Sequence, residues 1–140
     1  MHYIFIYFLL IDYMKKVIID TNFILSCVKQ KIDFFEDIML MGFQILIPKQ
    51  VINELKIILK SKKKLHFRED AMLSLKILEK NKKFYRGIDV SKYGRNTDKG
   101  IKNFSDKNKE IIIATLDREL KKKTKNQKMV IRGKKRLEVI

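Results

Sequence analysis

The sequence predicts an α/β protein, a three-layer α/β/α sandwich around a central, mostly parallel sheet. Three observations predict it. Val17–Ile19 and Ile111–Leu116 are apolar, largely β-branched runs, the pattern of strands buried on both faces. Segments with apolar residues at helical spacing separate the strand-like runs from one another. Both runs end on an acid, Asp20 and Asp117. Strands alternating with helices imply a parallel sheet covered on both sides.

Each element follows in order. After the first strand, Thr21 or Asn22 can cap a helix to about Lys29, and a second helix covers roughly Asp33 to Met41. Gly42 ends it, because glycine tolerates the left-handed helix stop. Phe43–Ile47 reads as the second strand. Pro48 then opens a helix, where its fixed φ is suited. In that helix Val51, Ile52, Leu55, Ile58 and Leu59 form one apolar stripe. A further helix spans roughly Arg68 to Lys80, with Met72, Leu75 and Leu78 expected inward. Phe84–Ile88 is a third strand, Gly94–Lys99 a polar turn, and a helix carrying Ile101 and Phe104 follows. After Ile111–Leu116 come a helix from about Arg118 and a final strand near Met129–Ile131.

A length of 140 residues suits one domain with a single core. Apolar residues make up 46% and charged residues 34%, a chain that folds rather than one that stays disordered. There is no internal repeat or low-complexity linker, so residues 14–140 are expected to form one domain. The first 13 residues, MHYIFIYFLLIDY, stand apart. Their apolar run, Tyr3 to Ile11, is about half the length of a membrane span and lacks a basic n-region. We expect either a start at Met14, with the preceding residues misassigned, or a short apolar arm. No membrane partner is expected.

Lys and Arg total 32 against 16 for Asp and Glu, a formal net charge of +16. Such a surface attracts polyanions, RNA or DNA first, although a lysine-rich composition spread over solvated faces gives the same total. The single cysteine, Cys27, excludes an internal disulfide and fits a reducing cytoplasm. Between Leu25 and Val28 it reads as a small core residue and not a nucleophile.

The acids carry the chemistry. Ligands of open α/β sheets bind outside the carboxyl ends of the strands, which is where Asp20 and Asp117 would sit. Two carboxylates brought together repel unless a cation joins them, and oxygen-rich sites suit Mg²⁺ or Mn²⁺. Glu54 borders the apolar stripe of its helix, and Asp98 lies near the start of another. Taken singly, Asp98 and Asp117 could be N-caps worth about 1 kcal/mol, and Glu54 a solvated helix residue. Together the four favour a metal site.

The stretches VIIDTNFIL, PKQVINELK, a TD opening a helix, and IIIATLDREL, in this order, resemble the PIN domain. The likeness runs from about Lys15 to Ile140. It looks most like archaeal relatives of the PIN nucleases that process small-subunit ribosomal RNA, and less like toxin-type PIN ribonucleases. The resemblance implies a metal-dependent endoribonuclease leaving a 5′-phosphate and a 3′-hydroxyl. It assigns Asp20, Glu54, Asp98 and Asp117 as catalytic acids. Asp20, Asp98 and Asp117 would hold Mg²⁺ or Mn²⁺, with Glu54 a ligand or the group that orients water. Thr21, Asn22 and Thr115 match supporting polar positions. Lys99 departs from the pattern, since many relatives carry a second acid there, and Leu116 replaces a usual polar residue. Glu119 is the candidate replacement for the missing acid.

Basic clusters would then bind RNA through its phosphates. They are Lys60, Lys62, Lys63, Lys64 and Arg68; Lys121, Lys122, Lys123 and Lys125; and Arg132, Lys134, Lys135 and Arg136. Tyr85 and Tyr93 are candidate stacking residues, though core or surface roles suit them better. His2 and His66 do not make an acid–base pair. Two rivals are a non-catalytic PIN-like RNA-binding adaptor and a toxin ribonuclease. Partners compatible with these readings are RNA, a second copy in a homodimer, a ribosome-assembly factor or an antitoxin.

Overall fold

The computed structural model describes residues 13–140; the expectation for the leader falls almost wholly outside them. Six strands form one sheet: β1 (Lys16–Ile19), β2 (Gln44–Pro48), β3 (Tyr85–Ile88), β4 (Ile112–Ala114), β5 (Lys128–Arg132) and β6 (Arg136–Val139). Among the described residues six α-helices accompany them: α1 (Thr21–Lys29), α2 (Phe34–Leu40), α3 (Lys49–Lys60), α4 (Leu65–Lys80), α5 (Thr97–Lys107) and α6 (Arg118–Lys123). The spatial order is β3-β2-β1-β4-β5-β6, parallel throughout except for the β5–β6 pair. The chain therefore builds outward from β1 in one direction, then returns to build from β4 in the other. The switch point lies between β1 and β4, where Val17, Ile18 and Ile19 align with Ile112, Ile113 and Ala114.

Alternation along the strands splits the core into two layers. Val17, Ile19, Ile45, Ile47, Ile112 and Ala114 face α1 to α4, packing on Phe23, Phe34, Ile38, Val51, Leu55 and Leu78. Ile18, Leu46 and Ile113 face the other way, onto Val90, Ile101 of α5 and Leu120 of α6. Both faces are thus covered, as the continuous apolar runs require. Cys27 is fully buried in the first layer, and burial pushes its thiol up to about 12, so it is an inert core residue. No helix among the described residues is long and apolar enough to cross a membrane.

Several local expectations need correction. In α4, Met72 is 42% exposed, while Ala71, Ser74 and Leu78 are buried. Leu78 is buried as expected and Leu75 packs against the core, so Met72 alone departs from the expected stripe, with Ala71 taking the buried position beside it. The run Ile111–Leu116 is a strand only over Ile112–Ala114. Thr115 leaves the ladder when its hydroxyl turns to Asp20, and Leu116 is 37% exposed. Phe84 belongs to a 3-10 turn and not to β3. Beyond β5 the chain turns back as β6, a strand the sequence reading lacked. Its turn places Lys134 and Lys135 at φ of 60° and 62°, a left-handed conformation that lysine adopts reluctantly.

The loop before α5 is held by close backbone packing. A Cβ on Gly94 would lie 2.7 Å from the Gly100 nitrogen and the Lys99 carbonyl carbon. One on Gly100 would lie 2.8 Å from the Val90 carbonyl oxygen. These glycines let the loop fold back against the first turn of α5, which carries Asp98. Gly94→Ala is therefore expected to cost about 1–3 kcal/mol through overpacking. A thermal melt followed by circular dichroism checks this; an unchanged midpoint would contradict the close approach.

Candidate active site

Asp20 is the first residue past β1, and its amide donates to the Ala114 carbonyl across the switch point at 3.1 Å. Its carboxylate caps α1: Oδ1 accepts from the Phe23 amide at 2.9 Å. The cap is thus Asp20 itself and neither Thr21 nor Asn22. Its other oxygen accepts from the Thr115 hydroxyl. That same hydroxyl accepts from the Asp117 amide at 3.0 Å, so Thr115 bridges the two strand-end acids. Asp117 caps α6, taking the Glu119 amide at 2.8 Å. Capping and membership of a charged site are here the same feature.

Glu54 reaches in from α3, where it is half-buried. Its Oε2 accepts from Thr21 Oγ1 at 2.7 Å, and its Oε1 accepts from the Thr97 hydroxyl. Asp98 sits on the first turn of α5, a helix capped by Asn96, whose side chain accepts from the Lys99 amide at 2.9 Å. Asp98 is therefore no N-cap. Its carboxylate stands within hydrogen-bonding reach of Asp117 when one of them carries a proton.

These groups line one polar pocket of about 290 Å³: Asp20, Thr21, Asn22, Glu54, Asn96, Thr97, Asp98 and Asp117. Thr97 and Asn96 were not foreseen. Asn96 carried a local cap signal, being placed three residues before Lys99. Thr97 carried none, because its partner lies 43 residues away. Of the other expected residues, Thr115 touches Asp20 from behind, while Glu119 lines a neighbouring cavity and not this pocket. Lys60 ends α3, Lys62 to Lys64 lie in the link to α4 and Arg68 in its first turn, none of them lining this pocket, and Arg132 pairs with Glu138 at 3.3 Å across the β5–β6 hairpin.

Burial dominates the electrostatics of the site. Burial raises the Asp20 carboxyl to about 6, with Asp98 and Asp117 adding to the rise and the Thr115 and Phe23 hydrogen bonds opposing it. Asp98 is raised as well, by burial first and then by the charges of Asp117 and Glu54. Among the described residues no three such groups are drawn together tightly enough to chelate an ion as they stand. The donor set is all hard oxygen, and in Asp20 and Asp98 burial, with neighbouring carboxylates adding to it, disfavours the charged form. Hard carboxylate oxygens of this kind are the donors that cations such as Mg²⁺ or Mn²⁺ take, although here the acids would have to close up to share one.

The acids thus gather at the carboxyl edge of a mostly parallel sheet covered by helices on both faces. A family model described as a PIN-like domain matches residues 17–136. Ribonuclease VapC4 of Methanocaldococcus jannaschii is 33% identical over 132 residues, 90% of this chain and 97% of that protein. The solved structure of the PIN domain endonuclease Utp24 matches with a TM-score of 0.65 at 25% identity, over 89% of this chain and 95% of that one. VapBC2 from Rickettsia felis, bound to a DNA fragment from its promoter, shares the fold with a TM-score of 0.56 at 19% identity, over 81% and 98% of the two chains. The chain belongs to the PIN-like domain family.

The raised Asp20 carboxyl has a consequence for stability. Unfolded, the group titrates near its ordinary 3.8; folded, it titrates near about 6. The folded state holds the proton more tightly, so the protein loses stability as pH rises through this window, by at most about 3 kcal/mol. In EDTA the wild-type melting midpoint is expected to fall between about pH 4 and pH 6. Asp20→Asn is expected to show a smaller fall, Asp98 still contributing, and to melt higher than wild type at neutral pH. Parallel pH profiles for the two proteins would contradict the assignment.

Proposed function

We propose that this chain is a divalent-metal-dependent endoribonuclease that hydrolyses RNA phosphodiester bonds, in RNA processing of the kind suggested by its likeness to ribosomal RNA nucleases. The observation that carries this reading is the convergence of Asp20, Glu54, Asp98 and Asp117 on one pocket at the switch point. The similarity to a ribonuclease and to a PIN endonuclease supports it.

In this reading Asp20, Asp98 and Asp117 present anionic oxygens toward the pocket and hold the cation. When bound, the cation supplies Lewis acidity, making water nucleophilic near neutral pH and offsetting charge on the leaving oxygen. Thr115 ties the Asp20 carboxylate to the backbone amide of Asp117 and so joins the two chain segments that carry the acids. Glu54 has both oxygens anchored by threonine hydroxyls, which suits a group that orients the attacking water. Water adds to phosphorus, the bond to the 3′ oxygen breaks, and that oxygen leaves with a proton. The products carry a 5′-phosphate and a 3′-hydroxyl. Exposed lysines around the site attract the RNA backbone, so binding weakens as salt rises.

The similarity to ribonuclease VapC4 and the fold shared with VapBC2 favour a second reading, a toxin-type ribonuclease restrained by an antitoxin partner. Both readings use the same chemistry and differ in the RNA cut and in the partner.

Cleavage of a labelled single-stranded RNA tests the proposal. We expect cutting in Mn²⁺ or Mg²⁺, none in EDTA, and none with Asp98→Asn. RNA binding without cleavage at saturating Mn²⁺ would instead favour the adaptor. Thr97→Val is expected to lower the rate about 10- to 100-fold by releasing Glu54, the usual cost of losing such a support. Thr97→Ser keeps the hydroxyl and should retain most activity. Equal rates for the valine and serine variants would show that Thr97 does not position Glu54.

A further inference from the structure

A second cavity, about 420 Å³, lies between α5 and α6 beside the acid pocket. The two share Asp98 and Asp117 as a common wall. The rest of the lining differs in kind. Lys99, Lys102 and Asn103 come from one face of α5, and Glu119, Leu120 and Lys123 from one face of α6. Lys102 is already engaged, its Nζ 2.8 Å from Asp106. Lys99 and Lys123 make no ion pair among the described residues, although Asp98, Asp117 and Glu119 line the same space. Opposite charges are thus held around one open volume without neutralising each other. A ligand that meets both kinds of charge suits such a volume. A nucleic-acid strand does so when one phosphate approaches a cation held by the acids and the next phosphate meets the ammonium groups.

We propose that this cavity seats the RNA phosphate adjoining the scissile one, held by Lys99 and Lys123. The proposal rests on the ribonuclease reading and adds where the strand runs when it leaves the acids. It also accounts for Lys99. Where the resemblance leads one to expect a second acid, an ammonium turns a would-be metal ligand into a substrate contact. The cavity volume falls within the roughly 300–1,000 Å³ of pockets that hold small ligands, enough for one nucleotide. Leu120, buried at the cavity wall, offers an apolar surface to the sugar. Contacts of this kind position a strand without reading its bases, so the subsite accepts any nucleotide.

The test uses the full chain in Mn²⁺ and a single-stranded RNA oligomer whose cut position has been mapped. One neutral methylphosphonate linkage is stepped along the strand away from the cut. We expect one linkage next to the cut to raise the wild-type KM about tenfold, the scale of one lost charge-assisted contact. In the double variant Lys99→Gln/Lys123→Gln that linkage should cost less than about twofold, because the charge it removes no longer has a partner. An equal penalty in wild type and double variant at every linkage would overturn the subsite and leave the nuclease standing. If wild type cuts no RNA, the ribonuclease reading fails, and binding of one unmodified single-stranded oligomer in Mn²⁺ is compared by fluorescence anisotropy. A Kd raised about tenfold in the double variant then still supports the cavity, and an unchanged Kd overturns it.

Discussion

Parallel pairing of β1 with β4 sets two acids side by side, and the Thr115 hydroxyl between them decides how they sit. It donates to Asp20 and accepts from the Asp117 amide, so both of its bonding directions are spent on the site. The rest of the arrangement depends on this junction. Because the chain leaves β1 and β4 toward opposite edges of the sheet, the crevice at their carboxyl ends stays open. Asp20 starts α1 and Asp117 starts α6, on opposite faces of the sheet. Glu54 and Asp98 then enter from α3 and α5, one from each face.

The site is assembled against electrostatic cost. Asp20 is 5% exposed, and its carboxyl and that of Asp98 are both held above the ordinary carboxylate range. A core optimised for stability alone would place an amide or an apolar residue there. Keeping acids instead is the trade expected where function requires groups that folding does not favour. Hydroxyl donors soften the cost without removing it. Thr115 serves Asp20, while Thr21 and Thr97 serve Glu54. Hydroxyls suit this role because they lend a hydrogen bond and add no competing charge.

Much of this was legible in the sequence. The buried runs at Val17–Ile19 and Ile111–Leu116 announced central parallel strands, and an acid directly after each run marked the carboxyl edge. Glu54 was legible from its place on the border of an apolar stripe. The resemblance placed Asp98. Less was legible where partners are distant or patterns are short. Thr97 depends on a contact with Glu54 that no local pattern encodes. The β6 strand is four residues long and follows the turn Gly133–Lys135, whose two left-handed positions are lysines, with the glycine one residue ahead of them. Met72 shows the limit of periodicity, because Leu75 and Leu78 of the same stripe face the core while Ala71, a weaker apolar signal, takes the buried place beside Met72.

The account's central claim is that the acids at the β1–β4 switch point form a binding site for a divalent cation. Calorimetric titration of Mn²⁺ into wild type and into Asp98→Asn/Asp117→Asn at neutral pH tests it most directly. The account predicts binding by wild type, weakened at least about tenfold in the double variant, as expected when charged ligands are removed from a hard-cation site. Equal Mn²⁺ binding by the two proteins, or no binding by wild type, would contradict it.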